Sequence, residues 1–146
     1  MAKWLFQLGI DISSPIDIHI DNERIFKSIC CGDQIEIAKW LFQLSNDISS
    51  PINIHANQEE AFREACRRGH IKVAKWLYQL GIDISSPIDI RIDNDSVFRI
   101  ACGDDDSVFT MVCKNHIEIV KWLCSLCDNY KFTFSADNTI TYHIEK

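Results

Sequence analysis

The chain has 146 residues, 47% of them hydrophobic, and a formal net charge of −6. That length suits one compact domain or a short repeat array, and an acidic chain repels phosphate backbones, which sets nucleic-acid binding aside. No apolar run approaches the roughly 20 residues that a membrane-spanning helix needs, and an odd count of seven cysteines fits a reducing cytoplasm better than a secreted disulfide framework.

The chain opens on Ala2-Lys3-Trp4-Leu5-Phe6-Gln7-Leu8. This short apolar helix runs into Gly9 and Asp11 without a small-residue cleavage site, so it does not read as a signal peptide. The same heptapeptide returns at residues 38–44 and, with Tyr78 in place of Phe, at residues 74–80, a step of 36 each time. A weaker copy, Val120-Lys121-Trp122-Leu123-Cys124, follows after a step of 46. Ile-Ser-Ser-Pro-Ile recurs from Ile12, Ile48 and Ile84. A period in this range marks a stack of supersecondary units. The array is predicted over residues 1–130, with units starting near residues 2, 38, 74 and 120.

Within a unit the apolar pattern is helical, then turn, then helical. Phe62, Ala65 and Cys66 lie at i, i+3 and i+4 with charged residues between them, the stripe of an amphipathic helix. Gly69 suits a left-handed helix end. Ile71, Val73, Ala74, Trp76, Leu77 and Leu80 then form a broader face, and Gly81 is expected to end this second helix. Pro87 cannot continue it. Ile88, Ile90 and Ile92 alternate with Asp89 and Arg91, which predicts a short extended arm projecting to one side.

Ala65-Cys66-Arg67-Arg68-Gly69-His70-Ile71-Lys72-Val73-Ala74-Lys75-Trp76-Leu77, followed by Gly81-Ile82-Asp83-Ile84, resembles an ankyrin repeat. The variant rich in Ile and Asn is similar to the ankyrin-repeat proteins of giant amoeba-infecting DNA viruses. The resemblance covers nearly the whole chain to about Cys127. It implies an all-α, ankyrin-type helical repeat solenoid whose first helices and loop tips line a binding face. The family's Thr-Pro-Leu-His opening is replaced by Glu60-Ala61-Phe62-Arg63, so its usual hydrogen bonds are not carried over. The unit is also longer than the family's, the excess falling in the Ser-Ser-Pro-Ile arm.

Three segments break the period. The helix at residues 2–8 lacks a first helix, so Trp4, Leu5, Phe6 and Leu8 are expected to leave an apolar edge that frays or self-associates. The long step holds a local duplication, because Asp95-Ser96-Val97-Phe98 recurs as Asp106-Ser107-Val108-Phe109 and Cys102 as Cys113. Gly103 and the aspartates after it should divide it into two short helices, an inserted helix near residues 95–115. From residue 131 to 146 the pattern alternates on both sides of Ser135-Ala136-Asp137-Asn138, which predicts a β-hairpin packed as a cap.

No motif calls for a cofactor, and no nucleophile elbow, phosphate loop or His-Glu-x-x-His helix is present. Cys113, His116, Cys124 and Cys127 have a zinc-like spacing. Against it, Cys113 matches Cys30 and Cys66, and His116 matches the turn residue His70, so the weight falls on core and turn roles. Trp4, Trp40, Trp76 and Trp122, one per unit, read as packing between units. The residues that differ between copies, or that sit on the arms, are the candidate binding set: His19, Asn22, His55, Gln58, Arg63, Glu64, Arg67, Arg91 and Asn94. The expected function is a protein-binding scaffold, not an enzyme. Its partner would be a protein, a host protein if the viral likeness holds, met in the cytoplasm. The alternatives are an inert repeat paralogue and a structural piece that self-assembles through its N-terminal edge.

Overall fold

The computed structural model describes residues 17–102, 114–134 and 140–145. The described part is mostly helical, with one small sheet. Its elements are α1 (Ile20–Cys31), α2 (Ile35–Asp47), α3 (Ala56–Arg67), α4 (Ile71–Asp83), α5 (Ile92–Ala101), α6 (Lys114–Leu126), β1 (Tyr130–Phe134) and β2 (Ile140–Ile144). None of these helices is long and apolar enough to cross a membrane. The helix expected at residues 2–8 and the second duplicated copy, with Cys113, lie outside the described residues.

The helices form three pairs: α1 with α2, α3 with α4, and α5 with α6. The first helices pack side by side, α3 between α1 and α5, while α4 packs against α6. The amphipathic stripes explain the order. Phe26 and Cys30, Phe62 with Ala65 and Cys66, and Phe98 with Ala101 are the buried residues of successive first helices. Ala38 and Leu41, Val73, Ala74 and Leu77, and Ile119, Val120 and Leu123 are those of the second helices. Each buried Leu, Ile or Phe contributes about 1.5–3 kcal/mol of transfer free energy, so this repeated stripe dominates the stability.

Trp76 and Trp122 join units as expected. Phe26 meets Trp76 at a ring-centroid separation of 6.2 Å, and Phe62 meets Trp122 at 6.2 Å. The phenylalanines of the first two first helices thus touch the second helix of the following unit.

Two local expectations need correction. The arms do not project: Ile18, Ile52, Ile54 and Ile88 are buried, because an alternating apolar segment beside an open core face gains more by lying in the seam than by standing in water. Gly81 does not end its helix. α4 continues to Asp83, and a Cβ on Gly81 would stand 2.8 Å from the Ser86 carbonyl oxygen and 3.0 Å from the Ile88 nitrogen. The glycine is there so that the returning chain can approach closely. The helix stops at Ile84 and Ser85, the latter left-handed at φ 58, just before Pro87. Gly69, at φ 79, does make the expected left-handed turn.

The tail is an antiparallel hairpin, with Tyr130 opposite Ile144 and Phe132 opposite Tyr142, and its first strand starts at Tyr130, one residue before the segment read from the sequence. Tyr130 stacks on Phe98 at 4.2 Å, with 5° between the ring planes, and Tyr142 meets the same ring edge-on at 5.7 Å. The hairpin therefore covers the aromatic position that a further unit's tryptophan would fill.

Candidate functional site

Each first helix opens with an unusual turn. Asp21, Asn22 and Glu23 have φ of 51, 55 and 67; Asn57, Gln58 and Glu59 have 54, 59 and 60; Asp93, Asn94 and Asp95 have 52, 56 and 61. Each turn closes with an amide of residue i bonding to the carbonyl of i−4: Glu23 to His19, Glu59 to His55 and Asp95 to Arg91. Left-handed backbone costs a non-glycine residue about 1–2 kcal/mol, less for Asn and Asp, which tolerate it best. Six of the nine residues are Asn or Asp. Three consecutive left-handed residues, repeated three times, need compensation from outside the turn.

The third residue of each turn supplies it. Glu23 and Glu59 are 7% and 5% exposed. Nδ1 of His19 donates to Oε1 of Glu23 at 2.8 Å, and the backbone N–H of Asn53, from the next arm, donates to the same oxygen at 3.1 Å. In the next unit Nδ1 of His55 donates to Oε1 of Glu59 at 2.8 Å, and the Asp89 N–H approaches that oxygen at 3.4 Å. The second nitrogen of each imidazole faces a serine: Ser50 Oγ is 2.9 Å from Nε2 of His19, and Ser86 Oγ is 2.9 Å from Nε2 of His55. With Nδ1 donating to a carboxylate, Nε2 of the neutral ring accepts the serine proton. At the last turn Arg91 Nε donates to Asp95 Oδ1 at 3.1 Å, and the Tyr130 hydroxyl donates to that oxygen at 2.7 Å. Tyrosine thus takes the place of the next arm's amide. Burial first, and then the bond to Asp95, push the Tyr130 hydroxyl well above the usual tyrosine range, which keeps it a donor.

A second clasp spans the other side of the seam. Nε2 of His70 donates to the Cys31 carbonyl at 2.9 Å, and Nε2 of His116 to the Arg67 carbonyl at 2.7 Å. Cys31 and Arg67 are themselves 36 residues apart, so His116 repeats the role of His70. Among the described residues no group of three or more His, Cys, Asp or Glu is placed to hold a metal ion. Cys124 and Cys127 are half-buried thiols on and after α6, and Cys113 lies outside the described residues. Burial pushes the Cys30 thiol up to about 12, and Cys66 moves in the same direction for the same reason.

The order hydroxyl, imidazole, carboxylate at Ser50-His19-Glu23 and Ser86-His55-Glu59 matches the relay of acyl-transfer enzymes. Its surroundings do not support that chemistry. The Ser50 N–H is engaged by the Ser45 carbonyl at 2.9 Å and the Ser86 N–H by the Gly81 carbonyl at 2.8 Å. The next residues, Pro51 and Pro87, have no N–H to offer an oxyanion. Both networks join one unit to the next, and the third copy does the same with arginine, aspartate and tyrosine.

The candidate binding residues divide into two sets. Asn22, Gln58 and Asn94 stand at the exposed centres of the three left-handed turns. Asn22 Nδ2 donates to Asn57 Oδ1 of the next turn at 2.6 Å. The others are held within the chain. His19 and His55 belong to the clasps, and Arg91 is paired with Asp95 although half exposed. Glu64 receives Arg67 through two bonds, at 2.8 and 2.7 Å, and Arg68 at 3.3 Å. Arg63 reaches Asp93 at 3.9 Å. The pairing with Arg67 holds the Glu64 carboxyl below the usual range against its partial burial. Sequence reasoning missed Glu23, Glu59, Asp95, Ser50 and Ser86. The signal was a basic residue and an acid four apart at one step of 36: His19 with Glu23, His55 with Glu59, Arg91 with Asp95.

No protein-family model, curated protein or solved structure matches the chain.

Proposed function

We propose that the protein is an ankyrin-like, non-catalytic scaffold that binds another protein through the row of left-handed turns and the adjoining flank of its first helices. The observation that carries this reading is the division of labour inside each turn. The third residue is buried and acidic in all three copies, while the first two are exposed and change from Asp-Asn to Asn-Gln to Asp-Asn. Strained backbone persists where the surroundings over-determine it, and such positions gather at ligand clamps and switches. The clasps present three polar turn tips at one edge of the stack, with little backbone freedom left to lose on binding. Glu64, Arg67 and Arg63 flank this row, and a partner that offers complementary charge would exchange with their internal pairs. A host protein in the cytoplasm remains the class of partner that the viral likeness suggests.

A photo-reactive amino acid placed at Gln58, and separately at exposed Lys75 on the second-helix side, tests the surface in cells that contain the natural partner. The expected result is a discrete protein adduct from position 58 that is lost in a chain carrying Asn22→Ala and Asn94→Ala. Adducts from position 75 alone would assign the contact to the opposite side and end the proposal.

A further inference from the structure

Among the described residues, three buried side-chain atoms have no hydrogen-bond partner: Glu23 Oε2, Glu59 Oε2 and Arg63 Nε. They are not scattered. Glu23 and Glu59 are the equivalent clasp carboxylates of two successive units, and Arg63 lies one helical turn after Glu59 on α3. In each carboxylate the other oxygen, Oε1, takes the histidine and the neighbouring arm. A carboxylate oxygen shut off from bulk solvent still needs a donor, and a guanidinium N–H still needs an acceptor.

The first seam also has the room. A void of about 10 Å³ is lined by Asn22, Glu23, Lys27, Asn53 and Glu60, with Phe26 forming an apolar wall. That is close to the smallest space that holds one water molecule, and a water needs two to four polar partners to stay there. Ile54, Ala56 and Ala61 complete a mainly apolar lining, and Glu23 is the buried carboxylate among the polar residues that border it.

We propose that each seam binds one ordered water molecule at the free oxygen of its clasp carboxylate. In the first seam the water donates to Glu23 Oε2 and draws its remaining bonds from the polar side chains lining the void. In the second it donates to Glu59 Oε2 and accepts from Arg63 Nε, satisfying two groups at once. Water fits better than a cation because the second seam joins a carboxylate to a guanidinium and has no net negative charge to offer. The site makes the clasp a four-part joint of imidazole, carboxylate, arm amide and water, and it explains how Glu59 Oε2 and Arg63 Nε can both be buried without a direct hydrogen bond between them.

Two measurements on the full chain test this. Magnetic relaxation dispersion of the water oxygen-17 nucleus counts long-lived internal waters in solution. Arg63→Met should remove one of them with unchanged helical circular dichroism, and Glu59→Gln, which keeps the shape and an acceptor, should keep it. An equal count in wild type and Arg63→Met overturns the proposal. A crystal structure of the unaltered chain is independent of how any variant folds. It should show a water within hydrogen-bond distance of both Glu59 Oε2 and Arg63 Nε, and another at Glu23 Oε2. Arg63 rotated directly onto Glu59, a dry void, or an anomalous peak there after a rubidium soak would each contradict it.

Discussion

Gln58 sits at the centre of a left-handed turn at φ 59, exposed, with no Asn-like preference for that conformation. Glycine enters the same region without steric penalty. Gln58→Gly should therefore raise stability by about 1 kcal/mol, and Gln58→Val should lower it by at least about as much. Urea denaturation of the three proteins checks the sign, and a destabilising glycine would mean that the backbone is not left-handed there. Glu59 and Glu64 provide a second contrast on the same helix. Glu59 is buried and anchors two elements, so Glu59→Ala should cost about 1–3 kcal/mol. Glu64 is a partly exposed pair with Arg67, and its loss should cost less than about 1 kcal/mol. The sequence suggests the opposite emphasis: Glu64 is a candidate because it varies between copies, and Glu59 is not. Variation was legible in the sequence, but burial of an acid was not. The histidine that makes its burial tolerable is four residues away, and the amide that completes it belongs to the next unit.

At the scale of elements, the stripes at Phe62-Ala65-Cys66 and the run from Ile71 to Leu80 gave the helices, and the alternation after Lys131 gave the hairpin. These signals are local and periodic, so a single sequence carries them. The left-handed turns were not legible, since Asn-Gln-Glu and Asp-Asn-Glu also read as ordinary helix starts. The arms were placed wrongly because alternation reports an extended backbone without saying which surface covers it. The hairpin's role follows from Tyr130, which bonds to Asp95 and stacks on Phe98. Tyr130→Phe keeps the stack and removes one of the two donors to Asp95 Oδ1, and should destabilise the hairpin by about 1.5–3 kcal/mol, the usual contribution of a hydrogen bond to a charged group. Thermal unfolding followed by near-ultraviolet circular dichroism checks this, and an unchanged transition would show that the ring alone holds the cap.

Across the whole molecule, charge pairs link neighbouring units: Lys27 with Glu60 at 2.9 Å and Arg63 with Asp93 at 3.9 Å. The Lys27 ammonium holds the Glu60 carboxyl below its ordinary value of 4.5, and Arg67 does the same for Glu64. A carboxyl depressed by folding adds stability that is fully present above the unfolded value and is lost as pH falls through the folded one. These groups should leave stability level from pH 7 down to about 5 and reduce it below about 4.5. The slope should flatten in the Lys27→Met, Arg67→Met double variant, as read from denaturation midpoints across that range. Salt should weaken the same contribution, because both pairs are partly exposed.

The central claim is that buried clasp carboxylates lock each arm to the preceding unit and so hold the row of turns in place. Asn53 and Asp89 test it most directly, since their amides lie outside any helix or strand and point at Glu23 Oε1 and Glu59 Oε1. Residue-resolved hydrogen exchange should show both amides protected well above ordinary loop amides. The Asp89 amide should lose that protection in Glu59→Ala while Asn53 keeps it. Exchange at Asn53 and Asp89 as fast as in an unstructured loop, in the unaltered chain, would contradict the claim.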